Sequence, residues 1–526
     1  MKALFIAFAT MTAVPLMGAV TGPVRVTGGQ IAGVPGRDSS VMVFKGIPFA
    51  APPVGNLRWR APQPVAAWQG VRNADQFGNS CIQTVVRERK PWTYEFMTHN
   101  DISEDCLYLN VWTAAGRPEE RRPVYVFIYG GGNNEGSTAV PVYDGETLAR
   151  KGIVVVTVNY RLGLFGFFTH PELTQEASYK ASGNYGILDI VAALKWVHDN
   201  IATFGGDPAK VTVGGQSAGA ANTHVLTASP LAKGLIRGAI AESGSSITGG
   251  ANRKLNEQEQ MGLKFAAAKG ASNLASLRAM SWQQLEEPLP ASSTGIASNY
   301  RFAPVVDGYL LPSAISDVFA QSKQNDVPTL TGSNKDESGA SPHPDVTVEQ
   351  YRKVAAVRYE ELAEEFLKLY PATTETEAAL AQNNAARDGS RVSTWLWALQ
   401  RKRTANTAAW TYFWDHALPG PDMDKYGAFH TSEVPYVLGA LTMSDRPFTA
   451  DDHHIADMMS SYWANFIAKG DPNGEGLAKW PAVAEKAGLT MELGDKTGPI
   501  PVAGGDARIK FWEKYYSKPR PPLPRP

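Results

Sequence analysis

The stretch from Phe204 to Ala220, FGGDPAKVTVGGQSAGA, constrains the chain more than any other. It closes a helical segment, runs through a short apolar strand marked by Val211 and Val213, and then turns at Gly214-Gly215-Gln216-Ser217-Ala218-Gly219. A serine in a strand–turn–helix corner has its hydroxyl pushed out of the turn, and flanking glycines leave room for the strained backbone. Ser217 is therefore the candidate nucleophile. The five-residue pattern is too short to stand alone in a chain with 49 glycines, so the rest of the sequence has to supply its partners.

Near-continuous apolar strands alternate with helical patterns on both sides of this corner. Val124 to Tyr129 opens into Gly130-Gly131-Gly132, and Ile153 to Tyr160 is a second strand of the buried parallel type. Gly186 to Phe204 has helical spacing through Ile187, Val191, Leu194, Trp196 and Ile201. Val211–Gly214, Leu235–Glu242, Val327–Gly332 and Thr411–Trp414 read as further strands. Residues 251–320 read as mostly helical, 346–408 as a long helical block over the sheet, and 456–467 as a last helix. The alternation predicts an α/β fold with a doubly wound, mostly parallel sheet. Ligands collect at the carboxyl ends of such strands, where the Gly-rich corners fall.

Composition bounds the function. With 43% hydrophobic and 19% charged residues the chain can bury a large core, and a formal charge of −1 argues against a nucleic-acid partner. Residues 1–20, MKALFIAFATMTAVPLMGAV, read as a secretory signal peptide with an apolar run too short to span a bilayer. No later stretch is long enough for a membrane span. Residues 21–517 then form one catalytic domain, and 518–526 a Pro-rich tail. Export suits the two cysteines, Cys81 and Cys106; a bridge would close a loop of 25 residues, and two buried free thiols are the alternative.

Hydrolysis by a serine needs a base, a group that orients the base, and donors for the developing oxyanion. Ser217, Glu337 and His430 follow one another in the order nucleophile, acid, base, each after a predicted strand. Asp336 competes with Glu337 for the acid's place, and His416, His453 and His454 are alternatives to His430.

At this point the residues resemble a known family, the type-B carboxylesterases (the carboxylesterase–cholinesterase group). Phe204-Gly205-Gly206, Val211, Val213, Gly215, Ser217, Ala218 and Gly219 fit the family's serine signature. Glu104-Asp105-Cys106-Leu107-Tyr108-Leu109-Asn110-Val111 is similar to its second signature, with Ala114 where Pro, Gln or Arg is usual. Asn184, Gly186 and Asp189, and later Trp463, Phe466, Gly470, Pro472 and Asn473, extend the resemblance over nearly the whole chain. It implies an α/β-hydrolase fold with large helical insertions, and the signal peptide with the two cysteines implies a secreted or periplasmic location. The resemblance also implies an acyl-enzyme mechanism on a small to medium ester without metal or organic cofactor. Ser217, Glu337 and His430 would be the triad, Gly131, Gly132 and Ala218 the oxyanion donors, and Cys81–Cys106 a disulfide.

Three departures bear on substrate. Gln216 replaces the Glu that usually precedes the nucleophile, Tyr129 stands where many members have His, and Asn133 where an aromatic residue is common. All three are candidate pocket residues, and Gln216 and Asn133 predict tolerance of polar or carboxylate-bearing acyl groups. One branch that the chain resembles acts on fumonisin-type tricarballylate esters. Choline esters are not supported, because Phe96 falls near the position of the ammonium-stacking Trp. Trp92, Tyr94 and Phe96 either line an entrance or pack their loop down, packing being favoured. Alternatives to a hydrolase are an acyltransferase with the same triad and a non-catalytic adhesion or binding member of the fold. The filled triad positions argue against the latter.

Overall fold

The computed structural model describes residues 20, 22–245, 253–288, 300–337, 339–340, 346–485 and 488–517. The expected signal peptide, apart from its last residue, and the expected tail lie outside these residues. Eleven strands form one sheet: β1 (Val34–Pro35), β2 (Met42–Pro48), β3 (Tyr108–Thr113), β4 (Arg122–Ile128), β5 (Val154–Val158), β6 (Gly206–Gln216), β7 (Gly238–Glu242), β8 (Thr329–Asn334), β9 (Ala409–Trp414), β10 (Leu489–Leu493) and β11 (Gly498–Pro501). Their order across the sheet is β11-β10-β9-β8-β7-β6-β4-β5-β3-β2-β1. The seven strands from β10 to β5 are mutually parallel, and antiparallel strands finish both edges.

Burial explains the strand sequences. Every residue of β5, β7, β8 and β9 is buried, which is why they read as continuous apolar or small-residue runs rather than alternating ones. The strand feeding the elbow starts earlier than expected, at Gly206. Its register against β4 shifts between Gly206 and Val211, where Pro208 has no N–H for the ladder. Similarly β8 begins after Pro328 and runs on to Asn334, two residues beyond the expected end.

Five helices matter for the site: α1 (Tyr185–Asn200), α2 (Ala218–Ala228), α3 (Glu375–Thr404), α4 (Val434–Val437) and α5 (Ala450–Lys469). Helix α2 packs on β6 and β7, α3 on β8 and β9, and α5 on β4 and β6. The expected helical block at 346–408 is three helices, of which α3 is the longest.

A buried ion pair fixes α1 to the end of β5. Arg161 Nη2 and Nε donate to the two carboxylate oxygens of Asp189 at 2.7 and 2.8 Å, and the Arg161 N–H adds a third bond at 3.0 Å. Gly186 lets this helix approach, since a Cβ there would lie 2.4 Å from the Arg161 carbonyl oxygen. Burial pushes the Asp189 carboxyl up, against the pull of Arg161. Removing one member strands the other charge in the core, which costs about 3–5 kcal/mol. Arg161→Met is therefore expected to lower the unfolding free energy by about that amount in chemical denaturation; a loss within experimental error would contradict it.

Candidate active site

Ser217 stands between the end of β6 and the first residue of α2 at φ 57 and ψ −118, a backbone conformation a non-glycine residue adopts only under constraint. The constraint is visible. The Ser217 N–H donates to the Glu242 carbonyl at 2.8 Å. Gly215 and Gly219 both press on the Ile128 carbonyl oxygen, which a Cβ would meet at 2.3 and 2.0 Å. The pattern of glycines around the serine is thus a packing requirement of this corner.

Ile128 ends β4, and the next residues are the glycine run. Gly131 has φ 94 and Gly132 φ 63, and a Cβ on Gly131 would lie 2.1 Å from the Glu135 carbonyl oxygen. Among the described residues the N–H groups of Gly131 and Gly132 make no hydrogen bond. That of Ala218, at the first position of α2, has no partner in a preceding turn. Gly131, Gly132, Gln216, Ser217 and His430 line one cavity of about 860 Å³.

The acid and base positions meet at the ends of β8 and β9. His430 Nδ1 contacts Glu337 Oε2, and the Asn334 N–H donates to Glu337 Oε1 at 2.8 Å. The neighbouring Asp336 is used differently. Its carboxylate takes Arg387 of α3 at 2.6 Å and the Ala428 N–H at 3.0 Å, so it ties the two loops together and does not face the imidazole. Of the other histidines weighed, His416 is held between Asp452 and Asp495 at 2.9 and 2.6 Å. His453 and His454 lie on α5, outside the cavity lining.

Charge around the imidazole is dense. Burial is the largest single influence on His430 and pulls it down; the charge and hydrogen bond of Glu337, with Glu433, outweigh it and hold the imidazole above its ordinary value. Burial acts against ionisation of Glu337 too, but the charge and hydrogen bond of His430 and the Asn334 N–H leave it below the ordinary carboxyl value. Glu433 is pushed up to about 7 by burial and by Glu337. Burial, with repulsion from Glu433, also raises Glu242, whose carboxylate accepts from Trp463 Nε1 at 2.8 Å.

Two of the three expected pocket residues turn away. Asn133 is buried: its carbonyl oxygen accepts from Asn222 at 2.8 Å and from the Tyr160 hydroxyl at 3.3 Å. Tyr129 is buried against Tyr160, ring centroids 4.7 Å apart. Neither lines the cavity, whereas Asn134 and Glu135, just after Asn133 at φ 62, do. Gln216 does line it, with its amide nitrogen 3.2 Å from His430 Nε2. Among the described residues the Ser217 hydroxyl forms no hydrogen bond.

The cysteine segment braces the site. Cys81 and Cys106 are bonded and buried. Between them, Gln83 exchanges two 2.8 Å hydrogen bonds with Gly136, and Arg89 pairs with Glu135, both beside the glycine run. Trp92 Nε1–H donates to the His430 carbonyl at 3.1 Å and to Thr431 Oγ1 at 3.3 Å. Thr431 is a β-branched residue at φ 87, a conformation that needs such support. Trp92 and Phe96 line the cavity, so the preference for simple packing was incomplete; Tyr94 is exposed and stacks on His99. Among the described residues no His, Cys, Asp and Glu grouping could hold a metal ion, and no helix is long and apolar enough to cross a membrane.

A sheet of this order, with a serine elbow at the end of its central strand, defines an α/β-hydrolase. The chain belongs to the Carboxylesterase family, whose profile matches residues 20–512. It is 36% identical over 508 residues to the fumonisin B1 esterase of Sphingopyxis macrogoltabida, covering 93% of this chain and 89% of that one. To the para-nitrobenzyl esterase of Bacillus subtilis it is 34% identical over 486 residues, covering 88% and 93%. To carboxylesterase 1E of Mus musculus it is 32% identical over 554 residues, covering 96% and 94%. The protein is a carboxylic-ester hydrolase.

The Trp92 contact yields a prediction. Trp92→Phe keeps a ring in place but leaves two acceptors on the His430 loop unpaired, and is expected to cost about 1–2 kcal/mol in denaturant unfolding. Full retention of stability would show that water replaces the indole.

Proposed function

We propose that hydrolysis proceeds through an acyl-enzyme on Ser217, with His430 as the base and Glu337 as the group that orients it. The observation that carries this reading is the contact of His430 Nδ1 with Glu337, which leaves Nε2 facing the cavity that Ser217 also lines. Nε2 takes the serine proton as Oγ attacks the ester carbonyl, and Glu337 stabilises the imidazolium. The N–H groups of Gly131, Gly132 and Ala218 receive the oxyanion, each such donor lowering the barrier by about 3 kcal/mol. The imidazolium protonates the departing alcohol, then water activated by the same nitrogen releases the acid. For the attack, Nε2 exchanges its Gln216 contact for the Ser217 hydroxyl, a tightening common on substrate binding.

The cavity supports an ester of small to medium size with polar groups. Arg89, Arg301, Glu135 and Glu287 set both charge signs around Trp92 and Phe96. An acid part carrying further carboxyl groups fits Arg89 and Arg301, and the 36% identical fumonisin B1 esterase favours esters of the fumonisin type. With Asn133 turned inward, such tolerance rests on the cavity's arginines. We further propose that residues 1–20 direct export, which the buried Cys81–Cys106 bond suits.

An ester panel of p-nitrophenyl acyl esters, aromatic esters and tricarballylate esters tests the reading. Ser217→Ala is expected to lower kcat by at least about 10⁴-fold on every ester the wild type cleaves, with its folding intact. Undiminished turnover would remove Ser217 from the chemistry. The pH dependence is a second check. The base works only when neutral, so kcat/KM should fall as pH drops through an apparent pKa above the ordinary imidazole value. Glu337→Gln, which removes the charge holding that value up, should move this limb to lower pH while cutting kcat by about 10⁴-fold.

A further inference from the structure

Gln216 is the residue of the site to which the proposed mechanism gives no task. It is buried, it lines the cavity, and its amide nitrogen lies 3.2 Å from the nitrogen of His430 that has to receive the Ser217 proton. Its carbonyl oxygen lies toward Gly130, where a Cβ would come within 2.9 Å of it. A primary amide carries a donor and an acceptor on one flat end. With its N–H₂ toward the ring it donates to the bare lone pair of a neutral imidazole. Rotated by half a turn, it accepts from the imidazolium that forms during attack. A carboxylate in the same place has acceptors alone, so it can pair with the imidazolium and not with the neutral base.

The groups facing His430 make this choice matter. Glu337, beyond the end of β8, is on Nδ1; Glu433 follows on the imidazole's own loop at the start of α4; and Glu242 of β7 stands opposite Gln216 in the β6–β7 ladder. Tyr143 lines the same cavity, Arg89 lies over the Trp92 ring and pairs with Glu135, and Trp92 supplies an uncharged indole. Carboxyl groups therefore face the imidazole from beyond β8 and from its own loop, while residue 216, beside Nε2, is an uncharged amide.

We propose that Gln216 is a positioning residue that holds His430 as the tautomer with an unprotonated Nε2 on the Ser217 side and Nδ1–H on Glu337, so that the base stays neutral to a lower pH than it would beside a carboxylate. The proposal rests on the triad reading above. It assigns Gln216 to the base and not to recognition of the acyl group.

Two readouts separate this inference from the reading it rests on. The first is the pH profile of kcat/KM on a p-nitrophenyl ester. Gln216→Glu adds a charge beside Nε2 and is expected to raise the acid limb by about one pH unit, so that activity near pH 6 falls about tenfold. The second needs no turnover: ¹⁵N-histidine NMR of Ser217→Ala against Ser217→Ala/Gln216→Glu. The first protein should show His430 as the Nδ1–H tautomer, and in the second His430 should titrate about one unit higher. If Ser217→Ala still hydrolyses esters, the triad reading fails and the NMR comparison still decides the role of Gln216. Should Gln216→Glu fail to fold, Gln216→Met carries the test by removing the donor: its His430 should show a mixture of tautomers. An unmoved limb, an unmoved titration, or an undisturbed tautomer in Gln216→Met overturns the proposal.

Discussion

The site depends on one close approach. The carbonyl oxygen of Ile128, at the end of β4, lies where any side chain on Gly215 or Gly219 would have to be. That contact draws the start of α2 down onto the neighbouring strand and forces Ser217 into its unusual backbone conformation. It also sets the distance between the serine and the glycine run two residues beyond Ile128. Ser217 and the proposed oxyanion donors are thereby fixed relative to each other by backbone packing, which tolerates far less displacement than side-chain contacts do.

The other half of the site is held by polar contacts rather than by packing. Asn334 is its hinge point: its N–H holds Glu337, and its side-chain amide donates to the Phe429 carbonyl at 2.7 Å and to Glu433 at 2.5 Å. Asp336, bonded to Arg387 and to the Ala428 N–H, braces the same two loops from the other side. Several carboxyl groups are gathered here with few cations. The low dielectric makes each of them costly to ionise, which is why Glu433 and Glu242 are raised while Glu337, facing the imidazole, is lowered.

Much of this was legible in the sequence, for reasons that differ by residue. Strands buried on both faces leave apolar runs that announce themselves, and an elbow needs small residues at fixed offsets. Their order at successive strand ends pointed to Ser217, Glu337 and His430 together. Between Glu337 and Asp336 the residues alone left the choice open and the resemblance pointed to Glu337; the fold sends Glu337 to His430 and Asp336 to Arg387. Asn133 and Tyr129 were named as pocket residues from a departure at a family position, which does not say which way the side chain points; both are buried away from the cavity lining. Trp92 was similarly opaque: its partners lie 338 and 339 residues away and are engaged partly through backbone atoms.

The segment between Cys81 and Cys106 walls the cavity, yet the strands that carry the serine, the acid and the histidine lie outside it. Because a covalent bond closes it at the root, it behaves as a cassette that can be exchanged as a unit without disturbing the sheet. Its Gln83 and Trp92 anchors set the terms of exchange. A replacement that keeps a partner for Gly136 and a donor for the His430 loop can alter the shape and charge of the mouth while the reacting groups stay where they are. Substrate range and bond-breaking chemistry are to that extent separately evolvable in this molecule.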